Sequence, residues 1–130
     1  MCGEKETNID WSDKVILIVE DNQLNFKLLE KILEKTGVKI LHAECGNDAI
    51  KICRETSSIN LILMDIQMPG IDGYETTGII KDIRPSLPVI AQTAYTLGEN
   101  SQNARKAGFE DFIPKPINQK HLLETIGRYI

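Results

Sequence analysis

The sequence predicts an α/β fold, a doubly wound parallel sheet of five strands in the order 2-1-3-4-5, and three observations support it. Short apolar runs alternate with amphipathic segments five times along the 130 residues, as in repeated strand–helix–strand units. The runs at 15–19, 61–64 and 89–91 are almost wholly apolar, which is typical of central strands covered on both faces. The second run contains Lys39 and the fifth contains Pro114, so these two belong at the edges of the sheet.

Two strand–helix pairs are predicted in the first part of the chain. A β-branched run at 14–19 predicts the first strand, and residues 22–35 carry apolar side chains at helical spacing, with Gly37 placed to end the helix. Residues 38–43 predict the second strand and 47–56 the second helix. The apolar residues at helical spacing in the first helix are Leu24, Leu28, Leu29, Ile32 and Leu33.

Three further pairs are predicted in the rest of the chain. They comprise a strand at 61–64, a helix ending near residue 83, a strand at 89–92, a helix at 98–107, a strand at 109–114 and a last helix. The turn-rich segment 68–73 separates the third strand from its helix, and Pro85 and Pro88 bracket the loop before the fourth strand. Asn118 is typical of a helix N-cap, because its side chain can accept a hydrogen bond from the first turn.

Composition excludes several classes of protein. Apolar residues make up 42% and charged residues 26%, as in ordinary soluble domains, and the net charge of −4 argues against nonspecific nucleic-acid binding. No apolar run is long enough to cross a bilayer, and the polar start of the chain is unlike a secretory signal. The three cysteines lack the spacing of a disulfide framework or a zinc site. We expect a cytoplasmic protein with a tail or linker at 1–13 and one domain at 14–130.

Polar residues converge at one edge of the predicted sheet. The residues that directly follow strands are Glu20, Asp21, Asp65, Thr93 and Lys115. Because all strands of a parallel sheet end on the same side, these side chains are expected to share one rim, where such folds bind ligands. Clustered carboxylates repel one another, and a divalent cation relieves the conflict. The sequence therefore predicts a Mg²⁺ site, since Mg²⁺ prefers carboxylate and phosphoryl oxygens.

Asp65 is the candidate nucleophile of this rim. It lies between the acidic pair and the side that carries Thr93 and Lys115, and a carboxylate can itself be phosphorylated. The ammonium of Lys115 and the metal would neutralise phosphoryl oxygens, while the hydroxyl of Thr93 would donate a hydrogen bond to one of them. The turn after Asp65, which includes Gln67, can lend a backbone carbonyl to the metal.

In this order and spacing, the residues resemble the receiver domains of two-component response regulators. The resemblance is carried by Glu20-Asp21, the segment 64–73, Thr93-Ala94 and Lys115-Pro116. It covers about residues 14 to 130 and implies the flavodoxin-like (βα)5 receiver fold. It also implies that Asp65 accepts a phosphoryl group from the phosphohistidine of a histidine kinase or a histidine phosphotransfer protein, as one step of a phosphorelay.

The resemblance assigns the metal ligands residue by residue. Asp21, Asp65 and the backbone carbonyl of Gln67 would hold Mg²⁺, and Glu20 would reach the ion through water. Self-catalysed phosphorylation and dephosphorylation would then be the only chemistry of this domain, which is not an enzyme in the usual sense.

The resemblance also implies a conformational switch. Thr93 and Lys115 would contact the phosphoryl group, and the Lys115–Pro116 peptide bond would be cis. Thr93 and Phe112 would act as the switch pair and would shift the face built from the fourth predicted helix, the fifth strand and the fifth helix. Phe112 departs from the tyrosine that is commoner in the family, so the switching mode is expected to differ in detail.

Two settings fit this resemblance. The segments 19–25 and 65–69 look most like receivers within hybrid histidine kinases, in which case the parent chain would be a histidine kinase; the other setting is a single-domain regulator. Neither setting needs nucleic-acid or membrane contact by this domain, and both allow a phosphorylation-dependent dimer. Partner specificity is expected on the first helix, with Gln23, Asn25, Phe26 and Leu29 as candidates.

Other readings remain open beside the receiver. A Mg²⁺-dependent phosphatase of the haloacid-dehalogenase type also uses an aspartyl phosphate, but it needs a second aspartate where this chain has Gln67. A degenerate receiver would serve only as a docking module. A flavodoxin-like FMN protein would share the sheet order, although no Ser/Thr-rich phosphate loop follows the first strand.

Overall fold

The computed structural model describes residues 9–66, 73–93 and 108–130. Its elements are β1 (Val15–Val19), α1 (Gln23–Glu34), β2 (Lys39–Ala43), α2 (Gly46–Glu55), β3 (Leu61–Asp65), α3 (Gly73–Ile83), β4 (Val89–Thr93), β5 (Asp111–Pro114) and a C-terminal helix (Gln119–Gly127). The helix predicted at 98–107 and the metal ligand predicted at Gln67 lie outside these ranges.

The sheet confirms the predicted fold class. All five strands are parallel and lie in the order β2-β1-β3-β4-β5. The register sets Val19 of β1 opposite Met64 of β3, and Asp65 of β3 opposite Gln92 of β4. Thr93 of β4 lies opposite Pro114 of β5. The strand ends that carry the predicted site residues therefore meet along one edge.

The core has one apolar cluster on each face of the sheet. Leu17 and Val19 point into the cluster covered by α2 and α3, whereas Ile16 and Ile18 point into the cluster covered by α1 and the C-terminal helix. Every residue of β3 and β4 is buried, which explains why the central strands read as continuous apolar runs.

Local sequence signals position the helices around the site. The side chains of Asn22 and Asn118 accept hydrogen bonds from the first turns of α1 and the C-terminal helix, so the predicted cap at Asn118 is confirmed. Gly73 starts α3 against the end of β3, where a Cβ atom would lie 2.7 Å from the Cα of Ile66. Only glycine allows this close approach, which holds α3 against the strand that ends at Asp65.

Two details differ from the sequence predictions. Leu24 and Leu28 belong to the apolar residues at helical spacing in α1, but they are 80% and 44% exposed, because the helical turn places them on the side that faces the groove rather than on the side of Leu29. Trp11, within the predicted tail, is buried in the α1-side cluster, and its backbone N–H donates to the carbonyl of Thr36 at 2.7 Å. The boundary at residue 14 itself stays a prediction.

Among the residues that the model describes, no helix combines the length and the apolar character that a membrane span requires.

Candidate functional site

The structure brings the predicted acidic residues together at the carboxyl edge of the sheet. Glu20 and Asp21 follow β1, and Asp65 is the last residue of β3. One carboxylate oxygen from each of the three lies within 4.8 Å of the others. Lys115 follows β5, and its Nζ atom lies 3.3 Å from Oδ1 of Asp65. An open groove at this edge is lined by Glu20, Asp21, Asn22, Leu24, Asn25, Leu28, Asp65 and Lys115.

Glu20 is a buried carboxylate held by the start of α1. It is 1% exposed, and its Oε2 atom accepts a hydrogen bond from the backbone N–H of Asn22 at 3.2 Å. Its Oε1 atom accepts a second hydrogen bond from Nδ2 of Asn25. Burial, and to a smaller extent the neighbouring Asp65, raise the pKa of Glu20 to about 7 against the opposing effect of the hydrogen bond from Asn25. The fold therefore places this carboxylate where its charge is costly.

The donor set suits a hard divalent cation. Glu20 and Asp65 are buried, whereas Asp21 is exposed. The three carboxylates therefore offer a cation two buried oxygen donors and one exposed oxygen donor close together. Among the described residues that line the groove, Lys115 is the one cation beside these three carboxylates, and its ammonium pairs with Asp65. Mg²⁺ is bound by one or two carboxylates while it keeps several waters, and the exposure of Asp21 leaves room for them. These residues therefore fit Mg²⁺.

The β4–β5 side of the rim carries the predicted phosphoryl-contacting groups. Thr93 ends β4 in a buried position, and its carbonyl accepts a hydrogen bond from the backbone N–H of Lys115 at 2.7 Å. The Lys115–Pro116 peptide bond is cis, as the resemblance implies. Phe112, the predicted switch residue, is half-buried, packs against the cluster on the α2–α3 face and lies opposite Ala91 of β4.

Sequence reasoning missed Gln92 and named Asn25 only as a candidate for partner specificity. Gln92, next to Thr93, is fully buried, and its Oε1 atom accepts a hydrogen bond from Nδ2 of Asn25 at 3.2 Å. Asn25 thus contacts both Gln92 and Glu20. The signal that could have found Gln92 is its position directly after the apolar residues 89–91 of a central strand, because a buried amide needs a partner.

The raised pKa of Glu20 predicts a specific pH dependence of the metal-free protein. The unfolded chain ionises Glu20 near 4.5, whereas the folded protein ionises it near 7. Stability contributed by the neutral form is therefore lost as pH rises from about 4.5 to about 7, and changes no further above that range. As the pH rises across this interval, the melting temperature of Glu20→Gln should increase relative to that of wild type. Added Mg²⁺ should raise the melting temperature of wild type most at the upper end of the interval.

Glu30→Gln, a change at an exposed position of α1, is the matched control and should track wild type at every pH. A Glu20→Gln difference that stays constant from pH 4 to pH 8 would contradict the assignment of this titration to Glu20.

The chain is similar to known proteins both in sequence and in structure. A family model described as the response regulator receiver domain matches residues 16–127. The polar-differentiation response regulator DivK of Brucella ovis is 39% identical over 119 residues, which cover 90% of this chain and 96% of DivK.

Two solved structures illustrate the structural similarity. The chemotaxis protein CheY4 of Vibrio cholerae has a TM-score of 0.85 at 23% identity, with 90% of this chain and 98% of that chain covered, and shows the shared fold. The receiver domain of sensor histidine kinase PA1611 from Pseudomonas aeruginosa PAO1 has a TM-score of 0.82 at 30% identity, with 89% and 96% covered. That receiver was crystallised with a magnesium ion coordinated in its active-site cleft.

Proposed function

Since this chain belongs to the response regulator receiver family, we propose that Asp65 accepts a phosphoryl group from the phosphohistidine of a histidine kinase or a histidine phosphotransfer protein. One observation carries the proposal. The carboxylate of Asp65 is almost fully buried, yet it opens into a groove with the Lys115 ammonium 3.3 Å away and two acidic side chains close by. A buried carboxylate that opens into a polar groove beside an ammonium and other acidic groups is a typical candidate for a functional site.

The transfer is a displacement at phosphorus. A carboxylate oxygen of Asp65 attacks, an O–P bond forms, and the N–P bond of the phosphohistidine breaks, with its electron pair returning to the imidazole nitrogen. The ammonium of Lys115 would neutralise charge on a phosphoryl oxygen, and the hydroxyl of Thr93 would donate a hydrogen bond to another. Positioning and charge neutralisation, rather than proton transfer, are the main contributions of these side chains.

We assign the metal site to Asp21, Asp65 and the backbone carbonyl of Gln67, with Glu20 acting through water. When bound, Mg²⁺ would supply positive charge to the phosphoryl oxygens. The acidic cluster supports this assignment, and so does the magnesium ion in the similar PA1611 receiver domain.

Phosphorylation is proposed to act through Thr93 and Phe112. The new phosphoryl group would draw the hydroxyl of Thr93 toward it, and Phe112 would move into the vacated space. The face that responds comprises β5, the C-terminal helix and the helix predicted at 98–107, the last of which lies outside the described residues. A coupling of about 1–3 kcal/mol between phosphorylation and this face is enough to bias a partner. The alternative outcome is that the phosphoryl group passes on to a further histidine.

The partner surface is proposed to include the exposed side of α1. Leu24 is 80% and Leu28 is 44% exposed, and both line the groove that contains Asp65. Leu29, a specificity candidate from the sequence, is fully buried and cannot contact a partner directly. Two exposed leucines beside an acidic site suit an apolar contact with the helix of a histidine-bearing donor.

Substitution of Leu24 separates partner docking from chemistry. We expect Leu24→Glu to slow transfer from a phosphorylated histidine kinase that labels wild type by about 10-fold, the loss that follows from about 1.4 kcal/mol of contact energy. Labelling by acetyl phosphate, which needs no docking surface, should keep the wild-type rate. Equal slowing with both donors would place the defect in the site instead.

A further inference from the structure

Gln92 is a fully buried amide in a strand whose other core residues are apolar. The residues before it in β4 are Val89, Ile90 and Ala91, and all of them lie in the core. Oε1 of Gln92 accepts a hydrogen bond from Asn25, but its Nε2 atom has no hydrogen-bond partner within the described ranges. A buried amide nitrogen without a partner costs stability, so an apolar side chain of similar size would suit the fold better. This cost points to a use for the Oε1 atom.

Both hydrogens of the side-chain amide of Asn25 are donated, one toward Glu20 and one toward Gln92. Nδ2 donates one to Oε1 of Glu20 and one to Oε1 of Gln92. The backbone N–H of Asn25 donates to Oδ1 of the capping residue Asn22 at 2.9 Å, which fixes where the side chain starts. The orientation of the amide is therefore determined, because two acceptors demand the nitrogen on the same side.

The hydrogen-bond chain Gln92–Asn25–Glu20 spans the strand that carries Asp65. Glu20 follows β1 and Gln92 lies in β4, and these strands flank β3 in the sheet. The alternation along each strand puts Glu20, Asp65 and Gln92 on the face covered by α1, where Ile18, Leu63 and Ile90 also point. Asn25, which lies in α1, thus connects Glu20 and Gln92 across β3, the strand that carries Asp65.

We propose that Asn25 is a positioning residue that holds the carboxylate of Glu20 in the orientation required for metal binding, with Gln92 as the second anchor of its amide. This inference rests on the proposed function, since it concerns the same Mg²⁺ site. Gln92 directly precedes Thr93. The hydrogen bonds through Asn25 therefore also connect Glu20 to the end of β4, which carries the hydroxyl that would contact the phosphoryl group. Removal of a group that hydrogen-bonds to a metal-binding residue and orients it commonly lowers the metal affinity by about 10-fold or more.

The test is the affinity for Mg²⁺, measured by calorimetric titration of the full chain with Mg²⁺ alone. Asn25→Ala is expected to raise the dissociation constant about 10-fold. Gln92→Leu should raise it less and, because it removes the unpaired Nε2 atom, should not lower the melting temperature. The double variant should bind Mg²⁺ as weakly as Asn25→Ala and no more weakly, because both changes break one chain. A merely structural role of Gln92 would not produce weaker Mg²⁺ binding in a protein of undiminished stability.

Asn60→Ala is the matched control. The Oδ1 atom of Asn60 accepts a hydrogen bond from the backbone N–H of Val15 at 2.8 Å, at the opposite end of β1 from Glu20. This variant should lose stability and keep the wild-type affinity for Mg²⁺. Affinities of Asn25→Ala and Gln92→Leu within about twofold of wild type would overturn the inference alone. A wild-type protein that binds no Mg²⁺ would overturn the proposed function as well.

Discussion

Asp65→Asn is expected to take up no phosphoryl group from acetyl phosphate in the presence of Mg²⁺. The amide of asparagine lacks the nucleophilic carboxylate oxygen, so an acyl phosphate cannot form at this position. Intact-mass measurement after incubation should show one added phosphoryl group on wild type and none on the variant. This is the largest effect expected, because it removes the bond-forming atom itself.

Loss of labelling in Asp65→Asn should not result from unfolding. Asp65 contributes to the raised pKa of the buried Glu20, so removing its charge relieves repulsion in the metal-free protein. We expect the metal-free variant to melt no lower than wild type at pH 8. Asp48→Asn, an exposed change on α2, is the matched control and should be labelled like wild type. Labelling of Asp65→Asn at the wild-type level would mean that a different side chain accepts the phosphoryl group.

Lys115→Met is expected to slow phosphorylation by acetyl phosphate by about 100-fold or more, the usual effect of removing one group that neutralises charge on the reacting atoms. The Nζ atom of Lys115 lies 3.3 Å from Asp65, close enough to contact a phosphoryl group bound there. Methionine keeps an unbranched side chain of nearly the same length and removes the ammonium group. The affinity for Mg²⁺ should not fall, because the change removes a positive charge from beside the acidic cluster.

Lys120→Met, at an exposed position of the C-terminal helix, controls for the loss of a positive charge from this side of the molecule. Its labelling rate should equal that of wild type. If Lys115→Met is labelled as fast as Lys120→Met, then Lys115 has only a structural role in the pair with Asp65.

The fold was predictable because a strand that is buried on both faces of a sheet consists of consecutive apolar residues. Strand β1 is apolar throughout, and β3 and β4 are apolar up to their last one or two residues, whereas β2 carries Lys39 and β5 carries Pro114. The sheet has these last two strands at its edges. The common edge of the site followed from the same reasoning, since parallel strands must end together. The prediction thus needed only the order of the strands and the residue after each one.

Helical spacing was a weaker guide, because it reports which residues share a stripe and not what lies opposite them. Leu24 and Leu28 are one turn apart and share a stripe, but this stripe is rotated by about 100° or more from Leu29 and Leu33 and is exposed at the groove. Trp11 is flanked by polar residues, so no periodic apolar pattern indicated that its side chain is buried.

The contact between Asn25 and Gln92 was beyond sequence reasoning for a different reason. The two residues are 67 positions apart and carry no charge, so neither spacing nor electrostatics connects them. Only the packing of α1 over the sheet brings the two amides together.

The location of the phosphoryl group on the wild-type protein is the most direct measurement to make. The protein is incubated with acetyl phosphate with and without Mg²⁺, the acyl phosphate is reduced with borohydride, and the modified peptide is identified by mass spectrometry. We predict a single modified residue, Asp65, that appears only when Mg²⁺ is present. Modification at another residue, or equal modification of Asp65 without Mg²⁺, would contradict the proposed chemistry of this site.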